Sequence, residues 1–235
     1  MESQDFKVGY LNEENFDEVC ELMTKIFTDY NALSFICKIK YDDYRAYFQA
    51  HRQSWLLQNL SPVVTNVDGK VIGVCILEDF NMTLMDPNVK LPEGILKQSN
   101  YYHSMFVKCE VRPAEPKLET AIGETLHGAF CAVDLAYMRQ GIAELLAVKT
   151  LEIAKSHGFK EIIAIADSPG SQYISVKKSG YSVIHEENLL DFLNSREVTD
   201  DQVANSFEKE AIAQNVQKIF RSQEPTIQIV RKLIE

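Results

Sequence analysis

Leu126-His127-Gly128-Ala129-Phe130-Cys131-Ala132-Val133, followed by Tyr137-Met138-Arg139-Gln140-Gly141-Ile142-Ala143, is the stretch on which the fold turns. The first run is apolar and of strand length, and beyond it Ile142, Leu145, Leu146, Val148, Leu151, Ile153 and Ala154 recur at helical spacing. Gly158 supplies a left-handed stop after His157, and Ile162 to Ala166 reads as a second apolar strand. The order strand, turn, helix, strand puts the turn at a helix start, where N–H groups without intrahelical partners and the positive end of the dipole face outward. Such a turn is an anion-binding cup. Gly141 has no Cβ to hold a phosphate off the backbone, Arg139 adds charge at the rim, and Ala143 keeps the first turn slim. Neither Gly-x-x-x-x-Gly-Lys-Ser/Thr nor Gly-x-Gly-x-x-Gly occurs here, so ATP and NAD fit the turn poorly.

Arg139-Gln140-Gly141-Ile142-Ala143 resembles the Arg/Gln-x-x-Gly-x-Gly/Ala pyrophosphate loop of the GNAT superfamily of acyl-CoA-dependent N-acyltransferases. At the family's usual separation, Lys177-Lys178-Ser179-Gly180-Tyr181 resembles its Glu-Lys-x-Gly-Phe/Tyr signature, and Val71-Ile72-Gly73-Val74 after Asp68-Gly69-Lys70 resembles its second and third strands. The run Asp167-Ser168-Pro169-Gly170-Ser171-Gln172 is similar to the branch related to arylalkylamine N-acetyltransferases. The resemblance reaches to about His185, its specific part lying in 126–181. It implies an α/β fold over 1–235, a GNAT-type mixed central β-sheet flanked by α-helices, with acetyl-CoA as cosubstrate and no metal. It also implies pantetheine contacts near Cys131, Ala132 and Val133, and cofactor contacts from Met138, Arg139, Gln140, Gly141, Ile142, Ala143 and Ser171. Two positions depart from the pattern: Met138 replaces the usual Gln or Arg, and Val176 stands where many members carry a Tyr that protonates the leaving thiolate.

Composition agrees with one globular domain: 235 residues, 46% hydrophobic and 25% charged. A net charge of −10 argues against nucleic acid as a partner and suits a cationic small substrate. Five widely spaced cysteines without a Cys-x-x-Cys pair indicate a reducing compartment, read as cytoplasmic. The histidines form no ligand pattern, which argues against a metal, and neither a leader sequence nor a membrane span is expected.

The remaining elements follow from pattern. Phe6 to Leu11 reads as a strand, and Asn12 or Asn15 as the cap of a helix carrying Phe16, Val19, Cys20, Leu22, Met23, Ile26 and Phe27. Residues 41–60 read as one amphipathic helix ended by Pro62, and Val63 to Leu77 as a hairpin around Asp68-Gly69. Residues 81–100, with Pro87, Pro92 and Gly94, read as irregular or partly helical; Met105 to Val111 fits a strand or a helix end, and Pro113 and Pro116 mark a connection. Ser168 caps a helix to Gly180, and Tyr181 to His185 reads as a strand. An extra helix over 201–222, with Val203, Phe207, Ile212, Val216 and Ile219 as its apolar face, precedes a last strand from Thr226 to Leu233. That face suits docking on the domain or on a second copy as a homodimer.

Amide formation from a thioester needs a base to neutralise the ammonium, a donor to the carbonyl oxygen and in-line placement. Glu78, Asp134 and Asp29 are the candidate bases, in that order: Glu78 ends a half-buried strand, where burial would raise its pKa, whereas Asp29 hangs on a loop. Taken alone, each is better explained as a solvated carboxylate at an element end. Tyr173, Ser171 and Ser175 are the remaining hydroxyl donors. Cys131, in an apolar strand, reads as a small hydrophobe and not a nucleophile, and His127 as a partly buried, satisfied side chain. Tyr41, Tyr44, Tyr47, Phe48 and Trp55 fit an aromatic amine pocket or plain helical core. The expected activity is direct transfer from acetyl-CoA to a primary amine, a small polyamine or arylalkylamine. Acetylation of a protein N-terminus or lysine is the alternative, and a non-catalytic acyl-CoA sensor a further one.

Overall fold

The computed structural model describes residues 6–82, 89–111, 122–195, 206–221 and 223–234. Its strands are β1 (Lys7–Tyr10), β2 (Pro62–Thr65), β3 (Val71–Asp79), β4 (Thr125–Val133), β5 (Glu161–Ala166), β6 (Ser182–Asn188) and β7 (Thr226–Leu233). They form one seven-stranded sheet in the order β1-β2-β3-β4-β5-β7-β6. β4 and β5 run parallel and the other neighbours are antiparallel, so the sheet is mixed, as expected.

Two irregularities in β3 and β4 decide what each face presents. The β2–β3 register slips near Ile72, and the β3–β4 register slips where Ile76 pairs Phe130 but Leu77 pairs Gly128, leaving Ala129 as an extra residue. Below the sheet, α6 (Ile142–Ser156) buries Ile142, Leu146, Ile153 and Ala154 against Val64, Ile72, Cys75, Leu77, Leu126 and Ile162. Above it lie α1 (Phe16–Tyr30), α2 (Ala32–Cys37), α3 (Tyr41–Ala50), α4 (Arg52–Gln58), α5 (Glu93–Lys108), α8 (Leu189–Asn194) and α9 (Ser206–Phe220). Helix α7 (Pro169–Gln172) runs on into a π-helical turn, Tyr173–Lys178, before β6.

Several expectations shift. The single helix over 41–60 is two, broken at His51, and α2 was not foreseen. The segment read as irregular contains α5, whose buried Ile95, Gln98, Tyr101, Met105 and Phe106 keep a helical period among polar neighbours, so the strand alternative at Met105 falls. Asn15 makes no side-chain cap of α1; instead Asn12 Oδ1 accepts from Glu14 N and Asn15 N, while Asn15 Oδ1 accepts from Asn12 N. In α9, Ile212, Val216 and Phe220 are buried in the upper core. Pro87, Pro113, Pro116 and Val203, and the side chain of Phe207, lie outside the described residues.

Candidate active site

β4 and β5 pair from Thr125–Glu161 to Gly128–Ala164, and there the ladder stops although β4 continues to Val133 and β5 to Ala166. The N–H of Asp134 donates to the carbonyl of Ile72 at 2.9 Å. Alternation along an antiparallel ladder therefore turns the backbone of Phe130 and Ala132 toward β3, and that of Cys131 and Val133 toward the side β5 has left. The result is a V-shaped gap lined by unladdered peptide groups at two positions foreseen as cofactor contacts, with the side chain of Ala132 buried in the upper core.

The wide end of the gap leads to the 138–143 turn. A 3₁₀ turn, Leu135–Tyr137, follows β4, then Arg139 and Gly141 both take left-handed backbone (φ 62° and 85°) before α6 begins at Ile142. A left-handed residue other than glycine is costly, and such strain collects at ligand sites. Here it falls at the start of α6, where N–H groups lack intrahelical partners, the local make-up of an anion nest. Met138, Arg139, Gln140 and Gly141 are exposed, Ala143 is half-buried and Ile142 anchors the turn from below. The space beside Gly141 is open, with no atom within 4 Å of where a Cβ would stand. Gly73 on β3 lets α6 sit close: a Cβ there would meet Ile142 Cγ2 at 2.6 Å. Lys178, on the π turn, pairs with Glu144 on the first turn of α6 at 3.1 Å and ties the two elements together.

At the narrow end stand Glu78 and His127, opposite each other on β3 and β4 and beside the last β4–β5 pairs. His127 Nδ1 lies 3.0 Å from Glu78 Oε1, and the indole N–H of Trp55 donates to Glu78 Oε2 at 3.3 Å. Their side chains are 15% and 25% exposed, so the pair is sheltered yet reachable. Burial alone would raise the Glu78 pKa, but the hydrogen bond and charge of His127, with His51 and Trp55, outweigh it and hold the carboxyl below its ordinary value. This reverses the expected direction: Glu78 is an ionised anchor and no proton acceptor poised near neutrality. Against a carboxylate oxygen Nδ1 is the donor, so the contact orients the ring with Nε2 turned away from Glu78. His127 is partly buried and bonded to Glu78, as the satisfied side chain read from sequence; that its partner is the candidate base Glu78 was not foreseen from sequence.

Of the other candidates, Asp134 and Ser171 have structural employment, while Asp29 and Tyr173 stand exposed. Asp134 Oδ2 pairs with Lys70 Nζ at 2.8 Å and its Oδ1 caps the 3₁₀ turn through Ala136 N, and the Lys70 hydrogen bond holds its carboxyl low. Asp29 lies in the last turn of α1, not on a loop, and is exposed. Ser171 forms a reciprocal capping box with Ser168, their hydroxyls 2.9 Å apart. Tyr173 is exposed on the π turn. Tyr44, Phe48 and Trp55 are buried core, while Tyr41 points outward and donates to Glu21. Tyr47, which packs on His51 and on Phe130, is half-buried, as is His51.

Cys131 is exposed, contrary to the apolar burial expected of it. Its hydrogen bond to Cys75 and desolvation by the surrounding protein still push its thiol well up. Cys131 stands on the stretch of β4 that β5 has left. Asp167, at the end of β5, accepts from Asn31 Nδ2 at 2.5 Å and from the Tyr102 hydroxyl at 3.3 Å, and burial raises its pKa. A separate recess of about 280 Å³, between Lys38, Lys40, Asp43, Glu93 and Lys97, shares no residue with the gap.

No protein-family model matches the sequence, and no curated protein matches it. Solved structures do. The C-terminal condensation domain of Ebony, determined in complex with beta-alanyl-dopamine, superposes with a TM-score of 0.76 at 15% identity, over 98% of this chain and 100% of that one. Arylalkylamine N-acetyltransferase 2 from Aedes aegypti gives 0.71 at 18% identity, over 98% and 100%. An N-acetyltransferase from Staphylococcus aureus Mu50 gives 0.52 at 13%, over 98% and 99%. With its mixed sheet, parted β4 and β5, and nest at the start of α6, this chain has the fold of the GNAT acetyltransferases.

Proposed function

We propose that the protein is an N-acetyltransferase that uses acetyl-CoA and acetylates the primary amine of a small molecule, an arylalkylamine before a polyamine. The observation that carries the reading is the parting of β4 from β5, with an anion nest at its wide end and the Glu78–His127 pair at its vertex. Residues 138–143 would hold the pyrophosphate and the peptide groups of Cys131 and Val133 the pantetheine arm. The open space beside Gly141 fits such a group. Acetyl-CoA supplies the activated acetyl thioester.

The chain's own residues do the rest. His127 Nε2 takes the proton of the incoming ammonium, and Glu78 steadies the imidazolium that forms. The ionised Glu78 also draws a cation to the vertex. Peptide N–H groups facing the gap would donate to a carbonyl oxygen lying there, and Tyr173, exposed on the π turn, would be the hydroxyl that returns a proton to a departing thiolate. Tyr47, His51 and Phe130 offer ring surface to an aromatic acceptor, a preference that the likeness to the Ebony domain and to arylalkylamine N-acetyltransferases also supports.

The test has two parts. Acetyl-CoA at a hundredfold excess over its Kd should stabilise the fold by about 2.7 kcal/mol, and Gly141→Asp, which puts a negative side chain in the nest, should abolish the gain. Free thiol should then be released from acetyl-CoA by tryptamine-like or polyamine substrates and not by peptides. A thermal shift that survives in Gly141→Asp removes the nest from the reading. Binding without thiol release from any amine turns the protein into an acyl-CoA sensor.

A further inference from the structure

Cys75 and Cys131 face each other directly across the β3–β4 ladder. The alternation fixed by the Asp134–Ile72 hydrogen bond makes theirs a non-hydrogen-bonded pair. In such pairs the Cα atoms stand about 4.5 Å apart and the side chains lie closest, within the range of about 4.4–6.8 Å that a disulfide spans. Both are free thiols, paired in register across the ladder. Cys75, on β3, is buried against α6 with the Thr150 hydroxyl 3.7 Å from its sulfur, while Cys131 is exposed on the part of β4 that β5 has left. Hydrogen bonds from Cys131 and Thr150 pull the Cys75 thiol down against its burial; Cys20 and Cys37, buried without such donors, are pushed up to about 12. The chemistry of this pair is therefore unlike that of the core cysteines.

We propose that Cys75 and Cys131 are a redox-active pair that a hydroperoxide converts to a cross-strand disulfide, and that a ligand lying along β4 prevents the conversion by covering Cys131. The second clause rests on the acyl-CoA reading above; the first does not. In the singly deprotonated pair, the Cys75 sulfur attacks the near oxygen of the peroxide and the O–O bond breaks. Cys75 becomes a sulfenic acid, and the hydroxide released takes the Cys131 proton and leaves as water. The Cys131 thiolate then attacks the Cys75 sulfur, the S–O bond breaks, and a second hydroxide leaves and is protonated by solvent. One peroxide is reduced to two waters as two thiols are oxidised to one disulfide. An added dithiol reverses the step by exchange.

The experiment uses the full chain, hydrogen peroxide as oxidant, dimedone as a sulfenic-acid trap, and peptide mapping by mass spectrometry. The parent should yield a linked Cys75–Cys131 peptide, reversed by dithiothreitol, without a lasting dimedone adduct. Cys131→Ser, a change at an exposed position, should accumulate the adduct on Cys75, and Cys75→Ser should oxidise Cys131 at least tenfold more slowly than the parent forms its disulfide. A parent that keeps a dimedone adduct, or links other cysteines instead, overturns the pair. Saturating acetyl-CoA should slow formation of the disulfide tenfold or more. If acetyl-CoA raises the melting temperature yet leaves that rate unchanged, the covering clause is wrong; if acetyl-CoA does not bind while the linked peptide still forms, the acyl-CoA reading fails and the pair stands.

Discussion

Gly73→Ala probes the contact that sets the groove. The added Cβ would stand 2.6 Å from Ile142 Cγ2 and 3.4 Å from Leu146 Cδ1, where ordinary carbon contacts lie at about 3.5–4.0 Å. Leu146 gives way easily. Ile142 does not: its Cγ2 is a branch methyl on a helical residue with essentially one χ1 rotamer, so relief requires moving the first turn of α6 itself. Overpacking of this kind costs about 1–3 kcal/mol. For a chain of this length each kcal/mol lowers Tm by about 2–4 °C, so the expected loss is roughly 2–12 °C. Because Ile142 follows Gly141, the nest moves too, and the acetyl-CoA thermal shift should shrink beyond what lost stability explains. Ile142→Ala removes the offending methyl, so the double variant should be less destabilised than the sum of the singles, with a coupling of about 0.5 kcal/mol or more. Urea unfolding of the four proteins measures it. An unchanged Tm for Gly73→Ala, or strict additivity in the cycle, would refute the claim that this contact places the turn.

The chemistry and the pH dependence give further tests. His127→Gln and Glu78→Gln should each lower turnover by about 10²–10⁴ in the free-thiol assay while the acetyl-CoA thermal shift persists, and both should recover in part at high pH, where the amine is already neutral. Asp134→Asn, which loses only a largely exposed ion pair with Lys70 and a turn cap, should leave turnover near the parent's; if it alone abolishes turnover, the base is Asp134. Glu187 receives hydrogen bonds from Lys108 and His185 at 2.8 Å and from Tyr101 at 3.1 Å; burial works against them, yet its pKa ends below the ordinary value. Its contribution is thus present above that ordinary value and lost as pH falls through the folded one, so Glu187→Gln should flatten the acid limb of a Tm-against-pH curve and lower Tm near neutrality. Asp167 has the opposite sign: burial raises its pKa, its charged form is the costly one, and Asp167→Asn should raise Tm near neutral pH, a lower Tm there counting against it.

How much of this was legible in sequence depended on the range of the interaction. The 126–166 stretch declared itself because strand length, helical period and the glycines at 141 and 158 are local signals, and the left-handed φ at both glycines follows from them. α5 was obscured because its buried positions include Gln98 and Tyr101, which a hydropathy reading scores as surface. The break at His51 and the brief α2 are fixed by tertiary packing and by Asn31, whose side chain caps Ser34 N while its amide serves Asp167 from 136 residues away. Glu78 could be picked as a strand-end carboxylate, but the sign of its pKa shift depended on a histidine 49 residues along the chain.

That histidine also shows why the bulge at Ala129 matters more than any motif. On an uninterrupted β4, alternation would put His127, Ala129, Cys131 and Val133 on one face. The extra residue instead leaves His127 with Phe130 and Ala132 on the upper face, among the helices that carry Tyr47, His51 and Trp55, and sends Cys131 to the lower face beside α6. One irregular pairing thus assigns His127, the proposed proton acceptor, to one side of the sheet and the thiol pair to the other. The parting of β4 from β5 just beyond Gly128 lies beside His127, so under the proposed function a donor along α6 and an acceptor under α3 and α4 would meet through the sheet there. Restoring the register by deleting Ala129 would turn either His127 or Cys131 to the wrong face, so no regular strand can serve both.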